Sequence, residues 1–116
     1  MNTYDNTLLY TDFILSKIIA LLKQKQDYQS ALFYISDHGE SLGENGIYLH
    51  GMPYPLAPKE QTHVPMMFWS NDGQLMKKLD SKKDLEFSHD NIFHIILGYF
   101  KVKTPLYDST LDLLSN

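Results

Sequence analysis

Apolar residues fall along the chain in blocks with different periods. Between residues 5 and 25, Leu8, Leu9, Phe13, Ile14, Ile18, Leu21 and Leu22 recur at three- and four-residue spacing, the period of an amphipathic helix. Asp5, Asn6 or Thr7 can cap its start, and Lys23 and Lys25 suit the negative end of its dipole. After the polar connection KQKQDYQS, the nearly continuous apolar run 31–35 has the length of a buried central strand, expected to be parallel given the preceding helix. VPMMFWS (64–70) reads as a second strand and NDG as a turn, followed by a short helix around Gln74 to Leu79. In SHDNIFHIILGYF, Ile92, Phe93, Ile95, Ile96 and Phe100 keep a helical period, with Ser88 or Asp90 as cap and Gly98 near the end. The tail TPLYDSTLDLLSN is expected to add a short edge strand or to pack on the surface. This order of helix, strand, loop, strand and helix, free of internal repeats, predicts part of an α/β sandwich.

Residues 39–62 break the pattern. They carry four glycines and three prolines, too irregular for one long element. A structureless stretch longer than about 15 residues in a compact domain is usually functional or disordered. This one holds the densest set of chemical groups in the chain, which favours function.

Composition narrows the classes. The formal charge of −4, from ten Lys plus Arg against fourteen Asp plus Glu, offers no basic stripe for a nucleic acid. With no cysteine, disulfides and thiolate zinc clusters are excluded. The apolar stretches are shorter than the roughly 18 residues a membrane span needs. The N-terminus has neither the basic nor the apolar region of a signal peptide. Taken alone, the chain is expected to stay in the cytoplasm.

Asp37 and His38 follow directly on the apolar run, at a strand's carboxyl end, where open α/β sheets bind ligands. A carboxylate oxygen and an imidazole nitrogen together suit zinc, and manganese less well. Adjacent strand residues point to opposite faces, so both can hold one ion only where the pleat breaks, and Gly39 supplies that break. From the dipeptide alone, a surface histidine beside a capping aspartate is the commoner case. His50 and His63 read first as solvated or structural. His89 and His94 sit five apart on a predicted helix and do not share a face well, and His89 reads as a capping or packing residue. Glu40, Glu44, Lys59 and Glu60 are candidates to contact a metal's ligands or a substrate, each more often a solvated charge, while Tyr48, Tyr54 and Trp69 are first of all packing groups with a polar tip.

The segment YISDHGESLGENGIYLHGMPYPLAPKEQTHVPMMFW resembles the phosphoethanolamine transferases that modify lipid A, including the mobile colistin-resistance enzymes, within the alkaline phosphatase and sulfatase superfamily. YDNTLLYTDFIL and SHDNIFH look like the same family, so the resemblance covers essentially the whole chain. It implies the C-terminal segment of an alkaline phosphatase/sulfatase-like α/β/α sandwich. It further implies that Asp37 and His38 are zinc ligands and that His50 contacts the phosphoethanolamine phosphate, or a second zinc. Glu40 matches an acidic residue near the site. The implied reaction is a two-step transfer through a zinc-activated threonine, from phosphatidylethanolamine to lipid A or a related saccharide, in an inner-membrane enzyme facing the periplasm.

The family's nucleophilic threonine, its zinc-binding glutamate and its membrane helices match no segment here, and Thr3, Thr7 and Thr11 lie in the opening helix. The expectation is therefore a single partial domain over 1–116 with half a metal site, inactive by itself. The rival readings are a phosphoglycerol transferase or sulfatase fragment, and a non-catalytic domain that self-associates, as a homodimer for instance.

Overall fold

The computed structural model describes residues 3–115. The chain divides into two compact units, Met1–Trp69 and Ser70–Asn116.

The first unit begins with helix α1, Thr3–Lys23, two residues ahead of the predicted bounds. The apolar stripe read from the sequence is not its covered face. Leu8, Leu9, Phe13, Ile14, Ile18 and Leu21 are all exposed, whereas Thr11, Leu15, Ile19 and Leu22 are half-buried. The helix is apolar on both of these faces, so periodicity alone does not select one. It packs on β1, Ala31–Ile35, which spans the predicted residues. β1 pairs with β4, Met66–Ser70, in a two-stranded sheet. Phe33 and Phe68 bring their rings to 6.2 Å across the pair. Every residue of β1 is half-buried, a correction to the expected buried strand, because β4 is its one paired neighbour among the described residues.

The glycine-bearing loop is structured. Strands β2, Ser41–Leu42, and β3, Tyr48–Leu49, pair antiparallel, with Ser41 opposite Leu49 and Leu42 opposite Tyr48. Their turn runs through Gly43 at φ 123° and Gly46 at φ 75°, conformations that favour glycine. Glu44 closes it, its Oε2 accepting the Leu42 N–H at 2.7 Å. Backbone hydrogen bonds, from its own amide first and then from Leu42, hold the Glu44 carboxyl below its ordinary range. A single helical turn at Tyr54–Leu56 and the short helix α2, Lys59–Thr62, lead into β4.

In the second unit, Asp72 caps helix α3, Gly73–Asp80, accepting from the Gln74 and Leu75 amides. Helix α4 spans Asp90–Tyr99. Ser88 Oγ accepts from the Asp90 amide and Asn91 Oδ1 from the Ser88 amide, a reciprocal cap of the kind that satisfies the free donors of a first turn. His89 occupies the cap position without a side-chain cap bond. Among the described residues the tail forms no strand, and it is more than surface packing, since Leu113 is buried, as are Leu79 and Ile95. Its carbonyls are gripped by side chains. Asn91 donates to Leu111, Lys78 to Leu114, and Lys82 to both Leu113 and Ser115. No helix among the described residues is long and apolar enough to cross a membrane.

Candidate functional site

The site forms where β1 stops. Ser36 Oγ donates to the His38 carbonyl at 2.8 Å, and Asp37 Oδ1 accepts the His38 N–H at 3.1 Å, folding the chain sharply after the strand. The turn is seated on α2, with the Gly39 N–H donating to the Gln61 carbonyl at 2.9 Å. A Cβ at Gly39 would collide with the Glu60 carbonyl oxygen. The strand has already ended at Ile35, and glycine is needed at position 39 for this close approach of two backbones.

Three of the four residues singled out in the sequence converge. The rings of His38 and His50 stack with centroids 3.8 Å apart. His50 Nδ1 lies 2.9 Å from Glu40 Oε2. One donor atom from each of His38, Glu40 and His50 falls within 4.8 Å of the others. The hairpin produces this meeting, since β2 follows Glu40 directly and β3 directly precedes His50. His38 Nδ1 contacts the Gly39 carbonyl at 2.9 Å. As a carbonyl only accepts, Nδ1 is the donor in this contact, which leaves Nε2 as the ring nitrogen able to offer a lone pair to a metal.

The fourth residue, Asp37, stands apart from this trio. Its side chain is 90% exposed, and its Oδ2 lies 3.9 Å from His38 Nε2. Two donors each about 2 Å from one ion can be at most about 4 Å apart, so the Asp37–His38 spacing is within reach of a shared ion. The trio needs its widest separation to close by roughly an ångström to do the same. The donor set of imidazole nitrogens and carboxylate oxygens is able to hold a metal ion, and suits a borderline divalent one.

Beside the histidines lies a cavity of about 270 Å³, with Met52, Tyr54, Ala57, Gln61 and Thr62 among its lining. Glu44 is turned to its hairpin, and Glu60 contributes its backbone. In the second unit, His94 accepts the Asp108 N–H at 2.9 Å through Nδ1. Among the described residues neither His63, His89 nor His94 enters a potential metal cluster. The sequence reading missed Gln61, which is buried against Ser41 with their side chains hydrogen-bonded at 2.9 Å.

The sulfatase family profile matches residues 1–102. Phosphoethanolamine transferase EptA of Salmonella typhimurium is 49% identical over 122 residues, covering 98% of this chain and 22% of the relative. Phosphatidylethanolamine transferase Mcr-2 of Escherichia coli is 48% identical over 103 residues, covering 88% and 19%. Among solved structures, the C-terminal periplasmic domain of phosphoethanolamine transferase EptC from Campylobacter jejuni superposes with a TM-score of 0.95 at 63% identity, covering 97% of this chain and 37% of that one. The soluble domain of lipooligosaccharide phosphoethanolamine transferase A from Neisseria meningitidis gives 0.91 at 41% identity. The chain spans about a fifth of the length of these curated relatives.

Proposed function

The chain belongs to the sulfatase family, and on that premise we propose that it carries part of the centre of a zinc-dependent phosphoethanolamine transferase. In this reading phosphatidylethanolamine is the donor, and lipid A or a related saccharide is the acceptor, on the periplasmic side of the inner membrane. The observation that carries it is the convergence of His38, Glu40 and His50 at the end of β1. Relatives named for phosphoethanolamine transfer, one of them a Kdo(2)-lipid A phosphoethanolamine 7''-transferase of Escherichia coli, support the substrate class.

His38 and Asp37 would hold the zinc, with Glu40 and His50 beside it. When bound, the ion would make an oxygen nucleophile more acidic and stabilise charge on the transferring phosphoryl group. The chain's own residues do the positioning. The Gly39 carbonyl fixes the His38 ring by its Nδ1 proton, the kind of outer contact that orients metal-binding histidines. Glu40 holds His50 by Nδ1, which leaves Nε2, when protonated, to donate to a phosphate oxygen. None of His38, Asp37, Glu40 and His50 is itself a hydroxyl nucleophile, so transfer through an oxygen nucleophile would need one from another residue.

Calorimetric titration of zinc into the purified chain tests the reading, beside His38→Ala. Stoichiometric binding by the wild type, lost in the variant, is the expected result. Absence of binding by a folded wild-type chain would sink the metal assignment.

A second reading, self-association, is favoured by the apolar residues exposed along α1. A large exposed apolar patch commonly marks an interaction surface. Sedimentation at rising protein concentration, with and without zinc, should show a growing weight-average mass. A constant monomer mass in both conditions would rule this reading out.

A further inference from the structure

We propose that Gln61 is a positioning residue of this site, the side chain that holds the loop bearing His38 and Glu40 against the loop bearing His50. The proposal rests on the reading of His38 and His50 as site residues. Its geometry is independent of any metal. Gln61 is 6% exposed and Ser41 1%. The Gln61 Nε2 group donates to Ser41 Oγ at 2.9 Å, and the Met52 N–H points to Gln61 Oε1 at 3.4 Å. Ser41 follows Glu40 directly, and Met52 stands two residues after His50. One amide therefore ties both loops from behind, on the wall of the cavity that His38 and His50 also line. The backbone of the same residue receives the Gly39 N–H.

The amide orientation is fixed by its neighbours. Met52 offers an N–H, so the oxygen must face it, and the nitrogen then faces the serine hydroxyl. Few side chains can do this. Leucine matches the volume but leaves the Ser41 hydroxyl and the Met52 amide without their partner in a buried place. Glutamate keeps an acceptor toward Met52, and the Ser41 hydroxyl can rotate to donate to its other oxygen, so the tie survives with its direction reversed. The stacked imidazoles are only 3.8 Å apart, a separation that loosening of either loop would lose.

The test is NMR of the metal-free, histidine-labelled 116-residue chain, reading NOEs between the His38 and His50 ring protons. Gln61→Leu is expected to lose these NOEs while keeping its far-ultraviolet circular dichroism and methyl dispersion, and Gln61→Glu is expected to restore them. Should Gln61→Leu fail to fold, Ser41→Ala cuts the same bond from the other side and takes its place in the comparison. Intact ring NOEs in a folded Gln61→Leu or Ser41→Ala chain would overturn the proposal. If the wild type binds zinc, Gln61→Leu should also weaken binding by about 10–100-fold, the effect usual for an outer support. A wild type that binds no zinc would defeat the metal reading and leave the ring NOEs to decide the role of Gln61.

Discussion

Gly39→Ala is expected to destabilise the chain by about 3 kcal/mol, at the upper end of what overpacking costs, and to abolish zinc binding with it. The added methyl would collide with the Glu60 carbonyl oxygen, with the Glu60 carbonyl carbon and the Gln61 Cα also close. All three are backbone atoms, so no side-chain rotation relieves the collision. The Gly39 N–H is bonded to the Gln61 carbonyl, and separating the two segments breaks that bond too. His38 precedes Gly39 directly, so the displacement falls on the proposed ligand. Gly46→Ala is the matching control. Nothing lies within 4 Å of its new methyl, and φ is 75°, so only the left-handed strain of about 1–2 kcal/mol applies. Urea unfolding midpoints of the two variants would measure the contrast. A Gly39→Ala chain as stable as the wild type would mean that the close approach to Glu60 is not what this glycine is for.

What the sequence made legible follows from how each element is stabilised. β1 was readable to the residue because five consecutive apolar positions bounded by polar ones leave little choice of span. The position of Asp37 and His38 just beyond it was equally plain. The convergence of His50 and Glu40 was legible through family resemblance and not through spacing, because it depends on two-residue strands. Such strands have no periodicity to read. Their cue was the cluster Gly43, Asn45 and Gly46, all at positive φ, and it was absorbed into a long irregular loop.

Gln61 and Asp112 were illegible for a common reason. Each is a polar residue buried because specific partners meet its hydrogen-bonding capacity, Ser41 for Gln61 and the Tyr107 hydroxyl with the Leu114 amide for Asp112. Local pattern treats such residues as solvated. Gly98 lies near the end of α4, as the sequence indicates, but local pattern does not disclose that its missing side chain makes room for the Asp112 carboxylate.

Asp112→Ala should therefore loosen the second unit well beyond the loss of one surface charge. Asp112 is 5% exposed. Its Oδ2 accepts from Tyr107 Oη at 2.6 Å and its Oδ1 from the Leu114 amide at 2.8 Å. Removing the carboxylate strands both donors and opens a space against Gly98, for a cost of about 3 kcal/mol. A double-mutant cycle separates this from a general weakening. Gly98→Ala collides with the Asp112 carboxylate in the wild type, so it should cost about 1 kcal/mol less, or even stabilise, once Asp112 is alanine. Additive effects would show that the two residues do not share that space.

The same pair gives the unit an alkaline limit. The hydrogen bond to Asp112 raises the Tyr107 pKa above its ordinary value, with burial and the charges of Asp112 and Asp108 acting in the same direction. A raised folded-state pKa contributes stability that is complete below the unfolded value of about 10 and is lost as pH rises through the folded value. The wild type is compared with Tyr107→Phe, in which only the phenolic hydroxyl is removed. Urea midpoints should fall more steeply above pH 10 in the wild type than in the variant. Parallel profiles would show that the Tyr107–Asp112 bond does not set the alkaline limit.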